Sequence, residues 1–339
     1  MKKKLVFSIV LMVTMIFLLS ACGNDDTSDT GKSNNTKKVS VKHNVNKNIN
    51  NNNDNVKVIK FVDDMGKEVV MKQPAKRIIS LYSAHTENLF ALGLDKEIIG
   101  VSKSDRFPEA VKTKKTYSFK DDPETIIAAK PDLVLIRTMI AKGYPDFVNS
   151  LENAGINVVT LYVTDFNDFD DYIDKLGMLT GKEKEAKEKL KEFHKAVDEI
   201  KAKAEKITKK KKVYFESRKK SYQTATPNSF AGTALKLVGA ENVASDLEVS
   251  KKSSTVVSYG EEKLLSKAND IDVFVAQKGV MNKTVSIDEI KSRPGFDKIK
   301  AVKNGDIYII DEKLISASSF RFVEGLKLLQ KMIYPELYK

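Results

Sequence analysis

From Ala186 the apolar residues fall at Ala186, Leu190, Phe193, Val197, Ile200, Ala204 and Ile207, in alternating steps of four and three with mostly Lys and Glu between. This period predicts one long helix with a single narrow apolar stripe. Its roughly 25 residues would extend about 38 Å, the size of a small domain. A coiled coil has the same stripe, but three heptads are few, and strand-and-helix patterns flank the segment on both sides. The helix therefore reads as a rigid connector laid across two α/β blocks.

Those blocks alternate short apolar runs with helical patterns, as parallel α/β units do. Strands are expected at 77–81, 98–102, 133–136 and 158–161 in the first block, and at 213–217, 273–276 and 307–310 in the second. An internal echo links the blocks. Glu124-Thr125-Ile126-Ile127-Ala128-Ala129 and Glu262-Lys263-Leu264-Leu265-Ser266-Lys267 each open a short amphipathic helix, and Asp132 or Asp270 follows eight residues after the glutamate, ahead of an apolar run. The expected boundaries are an N-terminal α/β lobe at 56–181, an interlobe helix at 182–210 and a C-terminal α/β lobe at 211–339.

Ahead of the folded part, Lys2, Lys3 and Lys4 precede an uncharged run from Leu5 to Leu19 that closes on Ser20-Ala21-Cys22. About fifteen apolar residues are too few to span a bilayer, so 1–21 reads as a secretory signal peptide. Cys22 is the only cysteine, and its placement resembles a lipobox, in which that thiol is acylated and tethers the exported protein. The segment 22–55, rich in Asn, Ser, Thr, Asp and Lys, lacks the apolar surface to order itself and reads as a disordered tether. With one cysteine no intramolecular disulfide can form.

The formal net charge of +12 falls to +9 when the three signal-peptide lysines are removed. The charges are Lys and Glu mixtures spread along helices in an exported chain, which argues against a nucleic-acid partner. Arginine is used differently: there are six, against 52 lysines. Arg106, Arg137, Arg218 and Arg321 each fall just beyond an expected strand, where open α/β sheets bind ligands. Planar forks at such places suit an anionic or oxygen-rich ligand. Tyr82, His85, Phe119 and Tyr162 lie in comparable loops and would supply flat walls. Of the three histidines, His43, His85 and His194, none is part of a chelating cluster, and no phosphate loop or nucleophile elbow is present. The chain does not read as an enzyme, and no cofactor or directly ligated bare metal ion is expected.

The runs 78–94 (Ile-Ile-Ser-Leu-Tyr-Ser-Ala-His-Thr-Glu-Asn-Leu-Phe-Ala-Leu-Gly-Leu), 99–102 and 123–134, together with Arg293-Pro294-Gly295-Phe296 and 301–308, resemble the substrate-binding lipoproteins of iron-siderophore, haem and vitamin B12 ABC importers. The resemblance covers essentially all of residues 56–339. It implies two Rossmann-like lobes joined by one long rigid helix, with a shallow ligand cleft between them and little hinge closure. It also implies a monomer, lipid-anchored on the extracytoplasmic face, that docks onto a permease dimer with its ATPase through one acidic residue per lobe, here Glu124 and Glu262, with Glu261 adjacent to the second. A ferric siderophore is the expected ligand. Cobalamin or haem are the alternatives within the class, and a surface adhesin or structural lipoprotein is the alternative outside it.

Overall fold

The computed structural model describes residues 58–247 and 254–338. The expected signal peptide at 1–21, Cys22 and the expected tether at 22–55 lie outside the described residues.

A hairpin opens the described chain, with β1 (Ile59–Val62) antiparallel to β2 (Glu68–Met71). Asp63 makes its turn: Oδ1 accepts from the amides of Met65 and Lys67 at 2.9 and 3.0 Å, while Oδ2 accepts from the Thr160 amide at 3.1 Å and docks the hairpin on the first sheet.

That sheet contains β3 (Ile78–Ser80), β4 (Ile98–Ser102), β5 (Lys115–Tyr117), β6 (Leu133–Ile136) and β7 (Asn157–Thr160) in the order β5-β4-β3-β6-β7, all parallel. All four residues of β6, Leu-Val-Leu-Ile, are buried, as a strand covered on both faces requires. The strand order reverses between β3 and β6, so a crevice opens at their carboxyl ends.

The second sheet contains β8 (Lys212–Arg218), β9 (Gln223–Ala225), β10 (Glu241–Asn242), β11 (Val256–Ser258), β12 (Val273–Lys278) and β13 (Ile307–Asp311). Its path is β11-β9-β8-β12-β13, with β10 also on β8. Here β8, β12 and β13 are parallel, whereas β9 and β11 run antiparallel to their neighbours, so this sheet is mixed.

The internal echo is structural, but its register differs from the sequence reading. Asp132, before β6, accepts from the amides of Lys76 and Arg77 at 2.8 and 2.9 Å, and its own amide donates to the Arg77 carbonyl at 2.9 Å. Asp272, before β12, repeats this with Lys212, accepting its amide at 2.9 Å and donating to its carbonyl at 2.9 Å. The counterpart of Asp132 is therefore Asp272 rather than Asp270. The second helix, Glu261–Ser266, has six residues against four in Glu124–Ile127, and the connection that follows it is one residue longer, so Asp272 lies eleven residues after the helix start where Asp132 lies eight.

The long helix is Glu183–Ala204, 22 residues, with Ala186, Leu190, Phe193, Val197 and Ile200 buried. It ends three residues before Ile207, which packs on Gly239 instead. A Cβ at Gly239 would lie 2.7 Å from Ile207 Cδ1, so that close approach needs glycine. The stripe meets the Phe169–Thr180 helix of the first lobe and the Phe230–Leu237 and Phe322–Ile333 helices of the second, not another copy of itself. Phe166 and Phe169 of the first lobe, Phe193 of the helix and Phe230, Phe320 and Phe322 of the second form a ring cluster with centroids 4.9 to 6.2 Å apart. Each such pair adds about 0.5–1.5 kcal/mol beyond its buried area, so the lobes share one stiff core.

Candidate functional site

β3 runs out through Leu81 to Tyr82, which precedes the Ser83–Ala91 helix, and β6 ends one residue before Arg137, which precedes the Thr138–Gly143 helix. Both side chains therefore emerge where the strand order reverses. The Arg137 guanidinium lies over the Tyr82 ring, 5.1 Å from its centroid, and Tyr82 meets Tyr162 at 5.9 Å. Arg137 is half-buried and has no carboxylate partner among the described residues. Burial pushes the Tyr82 phenol well above its ordinary pKa, so it remains a neutral hydrogen-bonding group.

Arg218 closes β8 on the other lobe, half-buried and also without a carboxylate partner among the described residues. With Tyr222 and the 280–284 loop it lines a shallow depression of about 630 Å³. The loop is held from beneath. Glu216 is wholly buried; both its oxygens bond Arg293, and Oε1 accepts from Asn282 Nδ2 at 2.9 Å. A buried carboxylate left unpaired would cost several kcal/mol, and here its lone pairs are filled. At the loop's start Glu312 accepts from the Val280 and Met281 amides at 2.6 and 3.3 Å. A Cβ on Gly279 would lie 1.9 Å from that carboxyl carbon, so a larger residue there would push Glu312 off these amides.

The remaining arginines are committed elsewhere. Arg293 belongs to the buried network, and Arg77 donates to the carbonyls of Ala129 and Lys130 at 2.7 and 2.9 Å. Arg106, placed in the cleft by the sequence reading, donates to the carbonyls of Lys103 and Asp105 at 2.9 and 2.8 Å and braces its own loop. Arg321, expected to contact ligand, stands 3.4 Å from Glu87 across the lobes and stacks 3.8 Å over Phe107. Phe119 meets Tyr144 edge-on at 4.7 Å and packs on the first lobe's second hydrophobic cluster.

His85 is a correction. It is 1% exposed, with Nδ1 2.8 Å from the Tyr172 hydroxyl and Nε2 3.2 Å from the Ile136 carbonyl. A carbonyl can only accept, so Nε2 carries the proton and Nδ1 accepts from Tyr172. Burial lowers its pKa to about 4, keeping the ring neutral. Both nitrogens are used inside the fold, so His85 is a core residue rather than a ligand contact.

Sequence reasoning missed the neighbouring Glu87-Asn88 pair. Asn88 Nδ2 donates to the Ser318 carbonyl at 2.8 Å and its Oδ1 accepts from the Phe320 amide at 3.1 Å, while Glu87 accepts from Ser319 Oγ at 2.9 Å. All of these contacts cross from one lobe to the other. Glu124 and Glu262 are exposed in the first turns of their helices, and neither forms an ion pair among the described residues. Glu261 differs, because it lies near Tyr222, whose phenol is raised first by burial and then by that carboxylate.

Two α/β sheets bridged by one helix, each with a half-buried arginine at a strand end that has no carboxylate partner among the described residues, make a bilobal architecture. The periplasmic binding protein family pattern matches residues 78–314. An uncharacterised ABC transporter substrate-binding lipoprotein of Bacillus subtilis, YvrC, is 31% identical over 82% of this chain and 86% of its own. The petrobactin-binding protein YclQ of the same organism is 24% identical over 98% of this chain and 97% of its own. A crystal structure described as a possible iron-binding, periplasmic solute-binding protein of Staphylococcus epidermidis is 33% identical with a TM-score of 0.68, covering 77% of this chain and 100% of that one. The chain belongs to the periplasmic binding protein family.

Proposed function

We propose that this protein is the extracytoplasmic receptor of an ABC importer for an anionic ferric siderophore, anchored to the membrane through acylated Cys22. The observation that carries the reading is the pair Arg137 and Arg218, one at a strand end in each lobe, half-buried and without carboxylate partners among the described residues. A half-buried cation without a counter-ion is a standing cost that an anionic ligand removes. Tyr82 and Tyr162 add aromatic faces beside Arg137 that suit a catecholate rim. The petrobactin-binding relative is consistent with this choice of ligand.

Delivery follows from the exposed Glu124 and Glu262, one per lobe, which offer two separated carboxylates to a permease dimer. The receptor acts as a monomer in this reading. Titration with ferric petrobactin and ferric citrate tests it: binding that weakens about tenfold or more in Arg137→Ala and Arg218→Ala supports the reading. Unaltered binding in both variants refutes it.

A further inference from the structure

Glu87 is 5% exposed, in the second turn of the Ser83–Ala91 helix. Its Oε2 accepts from Ser319 Oγ at 2.9 Å, and its Oε1 faces Arg321 Nη1 at 3.4 Å. The other surface of this contact is the connection between β4 and β5. Phe107 there is 40% exposed, and the Arg321 guanidinium covers it at 3.8 Å. Three residues earlier, the Ser104 carbonyl accepts from Lys313 Nζ of the second lobe at 2.7 Å. Two cations of the second lobe thus grip one connection of the first.

We propose that Glu87 and Phe107 are positioning residues that hold Arg321 as a clasp between the lobes, fixing the width of the ligand cleft. A carboxylate this buried requires compensating positive charge, and Arg321 with Lys313 supplies it. Phe107 sets the plane of the guanidinium, because a cation prefers the face of a ring. Arg321 caps the start of the Phe322–Ile333 helix, ten residues past the end of β13, and the clasp explains why it stands apart from Arg137 and Arg218: its charge is already matched by Glu87 and, at 3.5 Å, by Glu324. It also explains why a ligand site can depend on residues that touch no ligand. Only the ligand arm of the test rests on the siderophore reading; the exchange arm needs no ligand.

Amide hydrogen exchange on the purified full chain tests the clasp, comparing the parent with Phe107→Ala, Glu87→Gln and the double variant. Phe107 is exposed enough for alanine to leave the fold intact. The expected result is exchange about fivefold or more faster across residues 316–321, on the opposite lobe, with residues 133–136 unchanged. The Phe320 amide, which donates to Asn88 across the seam, is the most direct reporter. The double variant should be no faster than Glu87→Gln alone, since both substitutions release one guanidinium. With ferric citrate as probe, Phe107→Ala should raise the off-rate about tenfold and leave the on-rate within twofold. Unchanged exchange at 316–321 in Phe107→Ala overturns the clasp, as does equal acceleration at 133–136. Failure of ferric citrate to bind the parent counts against the siderophore reading and leaves exchange to decide the clasp.

Discussion

The guanidinium of Arg137 lies 5.1 Å over the ring of Tyr82, and the two residues follow β6 and β3, the adjacent strands between which the first sheet reverses its order. The ring fixes the plane of the fork without consuming its charge. Arg137→Ala should cost about 1.5–3 kcal/mol of ligand binding, and Arg137→Lys should not restore it, because a point charge lacks the planar fork. Arg106→Ala should stay within twofold of the parent, since Arg106 is engaged with two carbonyls of its own loop. Calorimetric titration of the three variants checks both halves.

Glu124 and Glu262 should act in delivery rather than capture. The double substitution to alanine is expected to abolish uptake in cells while ligand affinity in solution stays within twofold. Glu261→Ala should leave uptake near the parent level, because that carboxylate lies near Tyr222. A matching loss of affinity in the double variant would move both glutamates into the cleft.

Stability should respond to acid through two buried groups of opposite sign. His85 has its pKa lowered from 6.5 to about 4, so the stability it gives is present above pH 6.5 and lost as pH falls from 6.5 towards 4. Asp105 has its pKa raised from 3.8 to about 6, mainly by burial, so it penalises the fold above pH 6 and relieves that penalty as pH falls towards 4. Each effect is on the order of 3 kcal/mol, so they largely offset between pH 6 and 4. In urea titrations from pH 7 to 4.5 these two groups should leave the parent nearly level, whereas stability should rise as pH falls in His85→Gln and decline in Asp105→Asn. Parallel curves for parent and both variants would contradict these assignments.

Much of this architecture is legible in the chain because local period and burial agree. Strands β4 and β6 have the limits their sequence predicts, 98–102 and 133–136, since each is a short apolar run bounded by polar or turn residues. The long helix was legible from its stripe, but its end was not, because Ile207 continues the spacing while packing outside the helix on Gly239. Arginine rarity pointed to strand ends, yet could not separate the uncommitted Arg137 and Arg218 from Arg321, whose partner Glu87 is 234 residues away. His85 carried a polar side chain into a loop-like position, and only the tertiary partners Tyr172 and Ile136 show it to be core.

Cys22→Ala should leave the precursor unprocessed and remove label from cells fed radioactive palmitate. Unchanged lipid incorporation would exclude Cys22 as the anchor.

The most direct test of the central claim is thermal unfolding of the purified protein with ferric petrobactin, ferric citrate, cobalamin and haem. An anionic ferric siderophore at a hundred times its dissociation constant should add about 2.7 kcal/mol of stability. That gain should fall to about 0.4 kcal/mol in Arg137→Ala at the same ligand concentration if affinity falls a hundredfold. Stabilisation by cobalamin or haem alone, or by a ferric siderophore equally in parent and Arg137→Ala, would contradict the account.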